Sequence, residues 1–206
     1  MNIALKNIGK KYKSDWIFRE INYEIKSGEC HAILGNNGSG KSTLLKVISG
    51  ALMPTTGRAD YQYSQTALSR DRVFEHLSIA APYMGLINEF TVKEMVLFHN
   101  KAKGLMNGMS TGELMEITGL YTKRDTLIGN LSSGMLQRLK LGMALLAKST
   151  IVLLDEPAVN LDEKGVIWYG EMIENYSRGR TIIVCSNHKE EEHGFCSMEL
   201  IMENYK

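Results

Sequence analysis

A chain of 206 residues, 44% hydrophobic and 23% charged, has the balance of a globular domain and enough length to bury a core. Its 24 Lys and Arg against 23 Asp and Glu leave a formal charge of +1, which excludes a global field drawing the surface onto nucleic acid or anionic lipid. No apolar run approaches the roughly 18 residues of a membrane span, so the chain is not expected to cross a bilayer.

Met1 to Lys13 alternates lysine with apolar residues and lacks the unbroken apolar block of a secretion signal, which predicts a cytosolic location. Ile3 to Ile8 and Ile17 to Ile25 carry period-two apolar positions and read as two strands of a small antiparallel sheet. Cys30 to Leu34 is a short apolar run, a Gly-rich turn follows, and Ser42 to Ser49 places Leu44, Leu45, Val47 and Ile48 at helical spacing. That is strand, loop, helix.

Thr91 to Thr122 is Met-rich, without strand alternation, and is expected to form part of a helical insertion. Leu136, Leu139, Met143 and Leu146 then follow helical spacing ahead of the apolar run Ile151 to Leu154, and Val166, Tyr169 and Ile173 do so ahead of Thr181 to Cys185. Continuous runs of this kind are typical of parallel strands buried on both faces. A short helix and a strand over Leu200 to Tyr205 are expected to close the chain.

The three prolines, Pro54, Pro82 and Pro157, fall where elements should end, and no repeat or Pro-rich linker divides the sequence. The expected fold is α/β: a mainly parallel sheet with flanking helices, an N-terminal antiparallel β subdomain and a helical subdomain. Residues 1–206 form one domain, about 1–80 and 150–206 giving the core and about 88–148 the insertion. Cys30, Cys185 and Cys196 are odd in number with no CxxC spacing, which predicts reduced thiols in or near the core.

Gly35, Asn36, Asn37, Gly38, Ser39, Gly40, Lys41 and Ser42 fit G-x-x-x-x-G-K-[ST], a phosphate-binding loop running on into Thr43. Glycines let the backbone curl until successive N–H groups point inward at phosphate. Lys41 can reach the β- and γ-phosphates, the Ser42 hydroxyl can ligate Mg²⁺, and the helix start adds its positive dipole end. A nucleotide's phosphates and Mg²⁺ are therefore the expected ligands.

The run ending at Leu154 is followed by Asp155 and Glu156, two adjacent carboxylates at a strand end, where an open α/β sheet binds its ligand. Asp155 is placed to hold Mg²⁺, directly or through water, and Glu156 to polarise an attacking water. Between these motifs lies Leu131-Ser132-Ser133-Gly134-Met135, a helix start that read alone is an ordinary cap and read with the other two motifs offers hydroxyl and N–H groups for a second anion site.

Together the three motifs resemble the ABC ATPases, whose signature sequence is usually LSGGQ, and the likeness covers nearly the whole chain. The resemblance implies that two modules sandwich two ATPs. Each phosphate loop then faces the partner's Ser132, Ser133 and Gly134, and Asp162 joins them from the D-loop Asn160-Leu161-Asp162, five to seven residues after Asp155. It makes Lys41, Glu156 and His188 the catalytic residues, His188 as the switch histidine contacting γ-phosphate. Tyr12 stands where the family stacks an aromatic on adenine, with Trp16 close enough to compete for that role.

The implied partners are an integral-membrane transporter subunit and a second copy or paired ABC subunit, at the inner face of the cell membrane, with no nucleic acid. A soluble ABC ATPase of DNA repair, chromosome organisation or translation is the alternative, as is an ATP-dependent switch with little turnover. Ser133 and Met135 depart from the usual Gly and Gln. Met135 with Gln137-Arg138 resembles a variant found in some exporters. The family also places a Gln about nine residues before a helix start like Thr91, where this chain has Pro82 flanked by Ala81 and Tyr83; no Gln lies between Gln65 and Gln137.

Overall fold

The computed structural model describes residues 1–206. Strands β1 (Asn2–Tyr12) and β2 (Asp15–Ile25) pair antiparallel from Ile3 opposite Ile25 to Tyr12 opposite Asp15. Ile3, Leu5, Ile8, Phe18, Ile21 and Ile25 are buried, but the expected period of two breaks between Leu5 and Ile8 and between Phe18 and Ile21, where the register shifts and Asn7 and Glu20 take positive φ, so Phe18 and not Ile17 turns inward. β3 (Cys30–Leu34) leads through the Gly-rich loop into α1 (Lys41–Ile48).

The antiparallel sheet is larger than two strands. β4 (Thr56–Tyr63) and β5 (Thr66–Leu68) extend it in the order β2-β1-β4-β5. Within β4 only Tyr61 is buried, so its sequence carries no apolar alternation to announce it. β6 (Leu77–Ala80) is a four-residue edge strand.

Two capping boxes start the next helices. In α2 (Val92–Lys103) the Thr91 hydroxyl accepts from the Glu94 N–H while the Glu94 carboxylate accepts from the Thr91 N–H, and Ser110 with Glu113 does the same for α3 (Thr111–Ile117). A short 3₁₀ turn at Met106–Gly108 separates them. α4 (Ser133–Leu145) is capped by Ser132. β7 (Ile151–Asp155), α5 (Glu163–Tyr176), β8 (Thr181–Ser186), α6 (Glu190–His193) and β9 (Met198–Ile201) complete the chain.

The second sheet is parallel, in the order β6-β7-β8-β3-β9. Its central strands are buried on both faces. Val152 and Leu154 of β7 join a core with α2 to α5, while Ile151 and Leu153 join another with α1 and the antiparallel sheet; Ile182 and Val184 against Ile183 and Cys185 repeat the division in β8. Apolar runs without alternation thus reflect two cores pressed on one sheet.

The terminal strand is shorter than the expected Leu200 to Tyr205. It ends at Ile201, opposite Leu34, and Met202–Tyr205 form a 3₁₀ turn, because β3 ends there and leaves no ladder partner. The cysteines are free thiols; Cys185 is buried, and Cys30 and Cys196 are half-buried. No helix is long and apolar enough to cross a membrane.

Candidate nucleotide site

β3, β7 and β8 run parallel, so their C-terminal ends deliver Gly35, Asp155 and Ser186 to one edge of the sheet. Gly40, at the N-cap of α1, has φ 104°, and a Cβ there would lie 2.7 Å from Ile17 Cγ2 and 3.0 Å from Phe18 Cδ1. Only glycine fits that curl. Asn37, Gly38, Gly40, Lys41, Ser42 and Thr43 then line a recess of about 390 Å³, completed by Ile17 and Glu156. A larger recess of about 680 Å³ opens along β1 and β4 and holds none of the motif residues.

Lys41 is 4% exposed and has no carboxylate partner; its ammonium donates to the Gly35 carbonyl at 2.6 Å and the Asn36 carbonyl at 3.2 Å. Ser39 is buried within the loop, and Asn36 and Asn37 are exposed. The Asn36 N–H donates to Glu203 Oε1 at 2.8 Å, so the last turn of the chain lies against the loop.

Asp155 is 1% exposed and neither carboxylate oxygen has a hydrogen-bond partner. Burial raises its carboxyl above the usual range; the Ser42 hydroxyl beside it opposes the rise, as do Lys41 and Lys46, while Glu156 adds to it. An unpartnered buried carboxylate next to a hydroxyl fits a small hard cation, and these two ligands suffice for Mg²⁺, which keeps most of its waters. No cluster of three or more His, Cys, Asp or Glu offers an all-protein cage instead.

Glu156 follows with φ 48° and donates its N–H to the Cys185 carbonyl at 2.9 Å. His188, two residues past β8, is exposed with φ 56°. Tyr12 and Trp16 stand at the tip of the β1–β2 hairpin, 50% and 37% exposed, each with a lysine near its ring: Lys10 for Tyr12 and Lys11 for Trp16. Ile17 lines the recess and neither ring does.

Ser132, Ser133, Gly134 and Asp162, expected to serve a second cassette's nucleotide, do not line the recess. Ser132 accepts from the Met135 N–H at 3.2 Å, Ser133 is exposed at the first turn of α4, and Gly134 abuts the Asn160 carbonyl. Asp162 caps α5 by accepting from the Gly165 N–H at 2.8 Å. Asn160 has φ 62°.

Four residues join the site that sequence reasoning did not place there. Tyr83 follows Pro82, and the Lys46 ammonium stands 4.0 Å from its ring centroid; burial, with the nearby Asp155 charge, pushes its phenol up. Lys140, buried in α4, points its ammonium at the Ala81 and Pro82 carbonyls at 3.5 and 3.4 Å, and burial lowers its basicity. Glu192 of α6 is 1% exposed and receives the Ser186 hydroxyl at 2.5 Å, and Glu203 is the fourth. Only Lys140 leaves a trace in the sequence, as a charge inside an apolar helix.

A profile of the ABC transporter family matches residues 18–159. The ABC transporter ATP-binding protein YybJ of Bacillus subtilis is 30% identical over 204 residues, covering 98% of this chain and 93% of that protein. The Nod factor export ATP-binding protein I of Burkholderia orbicola is 28% identical over 205 residues, 98% and 67% of the two chains. ATP-binding cassette sub-family A member 7 of Rattus norvegicus is 32% identical over 176 residues, and the match spans 84% of this chain and 8% of the rat protein. Among solved structures, a dimeric ATP-binding cassette bound to ADP and Pi superposes with a TM-score of 0.80 at 24% identity, covering 97% of this chain and 93% of that one.

Proposed function

Since the chain belongs to the ABC transporter family and carries its ATP-hydrolysing cassette, we propose that it drives a separate membrane-spanning polypeptide from the cytoplasmic face, in a pair of cassettes. Residues 1–206 act as one ATP-binding domain in this reading, with about 88–148 as the helical part that bears the signature. One observation carries it: a buried, unpartnered Asp155 stands beside Ser42, and Glu156 shares one recess with the phosphate loop.

The reaction is attack of water on the γ-phosphate of ATP, in which the protein positions groups and opposes charge. Ser42 and Asp155 would hold Mg²⁺, which would supply positive charge against the phosphates. Lys41 leaves its own loop carbonyls for those phosphates, a better partner for an ammonium. Glu156, which lines the recess, orients the water and takes up proton character from it. His188 acts on the γ-phosphate as charge moves toward the leaving group.

Ser132 and Ser133 are exposed and Gly134 lies beside Asn160, away from this chain's own recess, an arrangement that suits contact with a second cassette's nucleotide. A separate membrane subunit is favoured by the Bacillus relative, of which the chain covers 93%. Met135 and Gln137, together with the export role named for the Burkholderia relative, favour outward transport.

Affinity purification of the tagged chain from detergent-solubilised membranes tests the reading. The expected result is a co-purifying polypeptide with several spans whose presence raises ATP turnover, basal and stimulated turnover both vanishing in Lys41→Ala. ATP turnover in the soluble fraction with no membrane polypeptide bound would favour the soluble switch instead.

A further inference from the structure

The peptide bond between Pro157 and Ala158 is held on both sides. The Gln137 side-chain amide, one turn into α4, donates to the Pro157 carbonyl at 2.9 Å, and the Ala158 N–H donates to Glu192 Oε1 of α6 at 3.2 Å. Gln137 and Glu192 are 4% and 1% exposed, so water does not compete for these bonds. Because the peptide unit is planar, fixing its C=O and its N–H together fixes the orientation of the plane.

Glu192 reaches further. Its Oε2 accepts from the Ser186 hydroxyl at 2.5 Å, that hydroxyl accepts from the Lys189 N–H at 3.2 Å, and the Glu192 carbonyl accepts from Tyr169 at 3.0 Å. The carboxylate therefore ties the segment after β7 to the segment after β8. On those two segments sit Glu156, Asn160 and His188, with φ of 48°, 62° and 56°. Left-handed backbone at residues other than glycine is held by its surroundings, and here these bonds act beside the backbone bonds Glu156 N–H to the Cys185 carbonyl and Val159 N–H to the Glu156 carbonyl.

We infer that Gln137 and Glu192 are positioning residues that clamp the Pro157–Ala158 peptide and thereby set Glu156 and His188 together, so that a shift of α4 reaches both groups through one peptide plane. The inference rests on the proposed roles of Glu156 and His188 in hydrolysis, but the clamp itself has a readout that needs no nucleotide.

That readout is amide exchange at Ala158 in the nucleotide-free chain. Glu192→Ala should speed it by tenfold or more, whereas Glu192→Gln, whose amide oxygen still accepts, should stay within about threefold of the parent. Gln137→Leu should also speed it, although the acceptor of the Ala158 N–H is untouched, because the plane is freed from the other side. At saturating ATP, Gln137→Leu and Glu192→Ala should each lower turnover on the order of ten- to hundredfold, with the half-saturating ATP concentration changed less than about twofold. The double variant should fall no further than the worse single variant, since both substitutions release one peptide.

Unchanged Ala158 exchange in Gln137→Leu would overturn the clamp, as would losses that multiply in the double variant. Should Glu192→Ala fail to fold, Gln137→Leu with Glu192→Gln as its control carries the same decision. A parent chain without ATP turnover would count against the catalytic reading, while the exchange result would still decide the clamp.

Discussion

The Lys46 ammonium lies 4.0 Å from the centroid of the Tyr83 ring, which fastens the loop after β6 to α1 one turn beyond Ser42. A cation over an aromatic face at a half-exposed position contributes about 0.5–1 kcal/mol. The same loop is approached from below by Lys140, so a phenol and two ammonium groups stand where the family resemblance calls for a glutamine amide.

Tyr83→Phe keeps the ring on Lys46 and removes the hydroxyl, whereas Tyr83→Ala removes both. We expect Tyr83→Ala to lower Tm by about 1–4 °C and Tyr83→Phe to leave it unchanged. Pro82→Gln should alter how strongly the membrane partner stimulates hydrolysis while leaving nucleotide affinity of the isolated chain within about twofold. Reconstituted complexes compared for stimulated rate check this; an identical stimulation factor would show that the segment carries no coupling.

Lys41 is a buried ammonium satisfied only by the carbonyls of Gly35 and Asn36. Lys41→Ala should therefore leave Tm near the parent's, since no ion pair is broken, and weaken ATP binding by about a hundredfold through loss of charge-assisted bonds to phosphate. Calorimetric titration measures it. Parent-like affinity would sink the assignment of this loop.

Glu156→Gln preserves shape and removes the base, so ATP binding should persist while hydrolysis slows by about 10²- to 10⁴-fold. With ATP the variant should accumulate as a dimer, because the exposed Ser132 and Ser133 of one chain then meet an unhydrolysed nucleotide on another. Size-exclusion chromatography with ATP and with ADP checks this. A monomer in both would remove the sandwich or make the membrane subunit obligatory for it.

His188 is exposed and its proposed contact is with γ-phosphate alone. His188→Ala should cut turnover and spare ADP affinity. Equal loss of ADP and ATP binding contradicts the role.

Asp155 yields a linked prediction of pH and metal. Its carboxyl is raised by burial, so the folded chain holds that proton more tightly than the unfolded chain. Stability then falls as pH climbs from the ordinary carboxylate value through the raised one, and the loss persists at neutral pH. Asp155→Asn removes the unpaired charge, and at pH 7 in chelator its Tm should exceed the parent's, by about 2–4 °C for each kcal/mol relieved. The gap should close below the ordinary carboxylate range. Mg²⁺ should raise the parent's Tm and not the variant's; an equal response would take Asp155 out of the cation site.

The sequence by itself determined the chemistry that is local. Gly35 to Thr43 is contiguous, so its spacing dictates a phosphate loop before any packing is known, and Asp155 with Glu156 follows an apolar run that must be a buried strand. The capping residues Ser132 and Asp162 also act within three residues of themselves. Period and adjacency report local burial and local hydrogen bonding, and these features need nothing more.

Only the tertiary structure decided the rest. β4 shows no alternation because it buries only Tyr61, and the last strand stops at Ile201, short of Tyr205, because its end is set by Leu34 on β3. Gln137 meets Pro157 and Glu192 meets Ala158 across 20 and 34 residues, Glu203 meets Asn36 across 167, and Tyr83 meets Lys46 between separate elements. A hydrogen bond between distant side chains depends on how elements pack, and packing is a property of both cores at once. No window of sequence contains it.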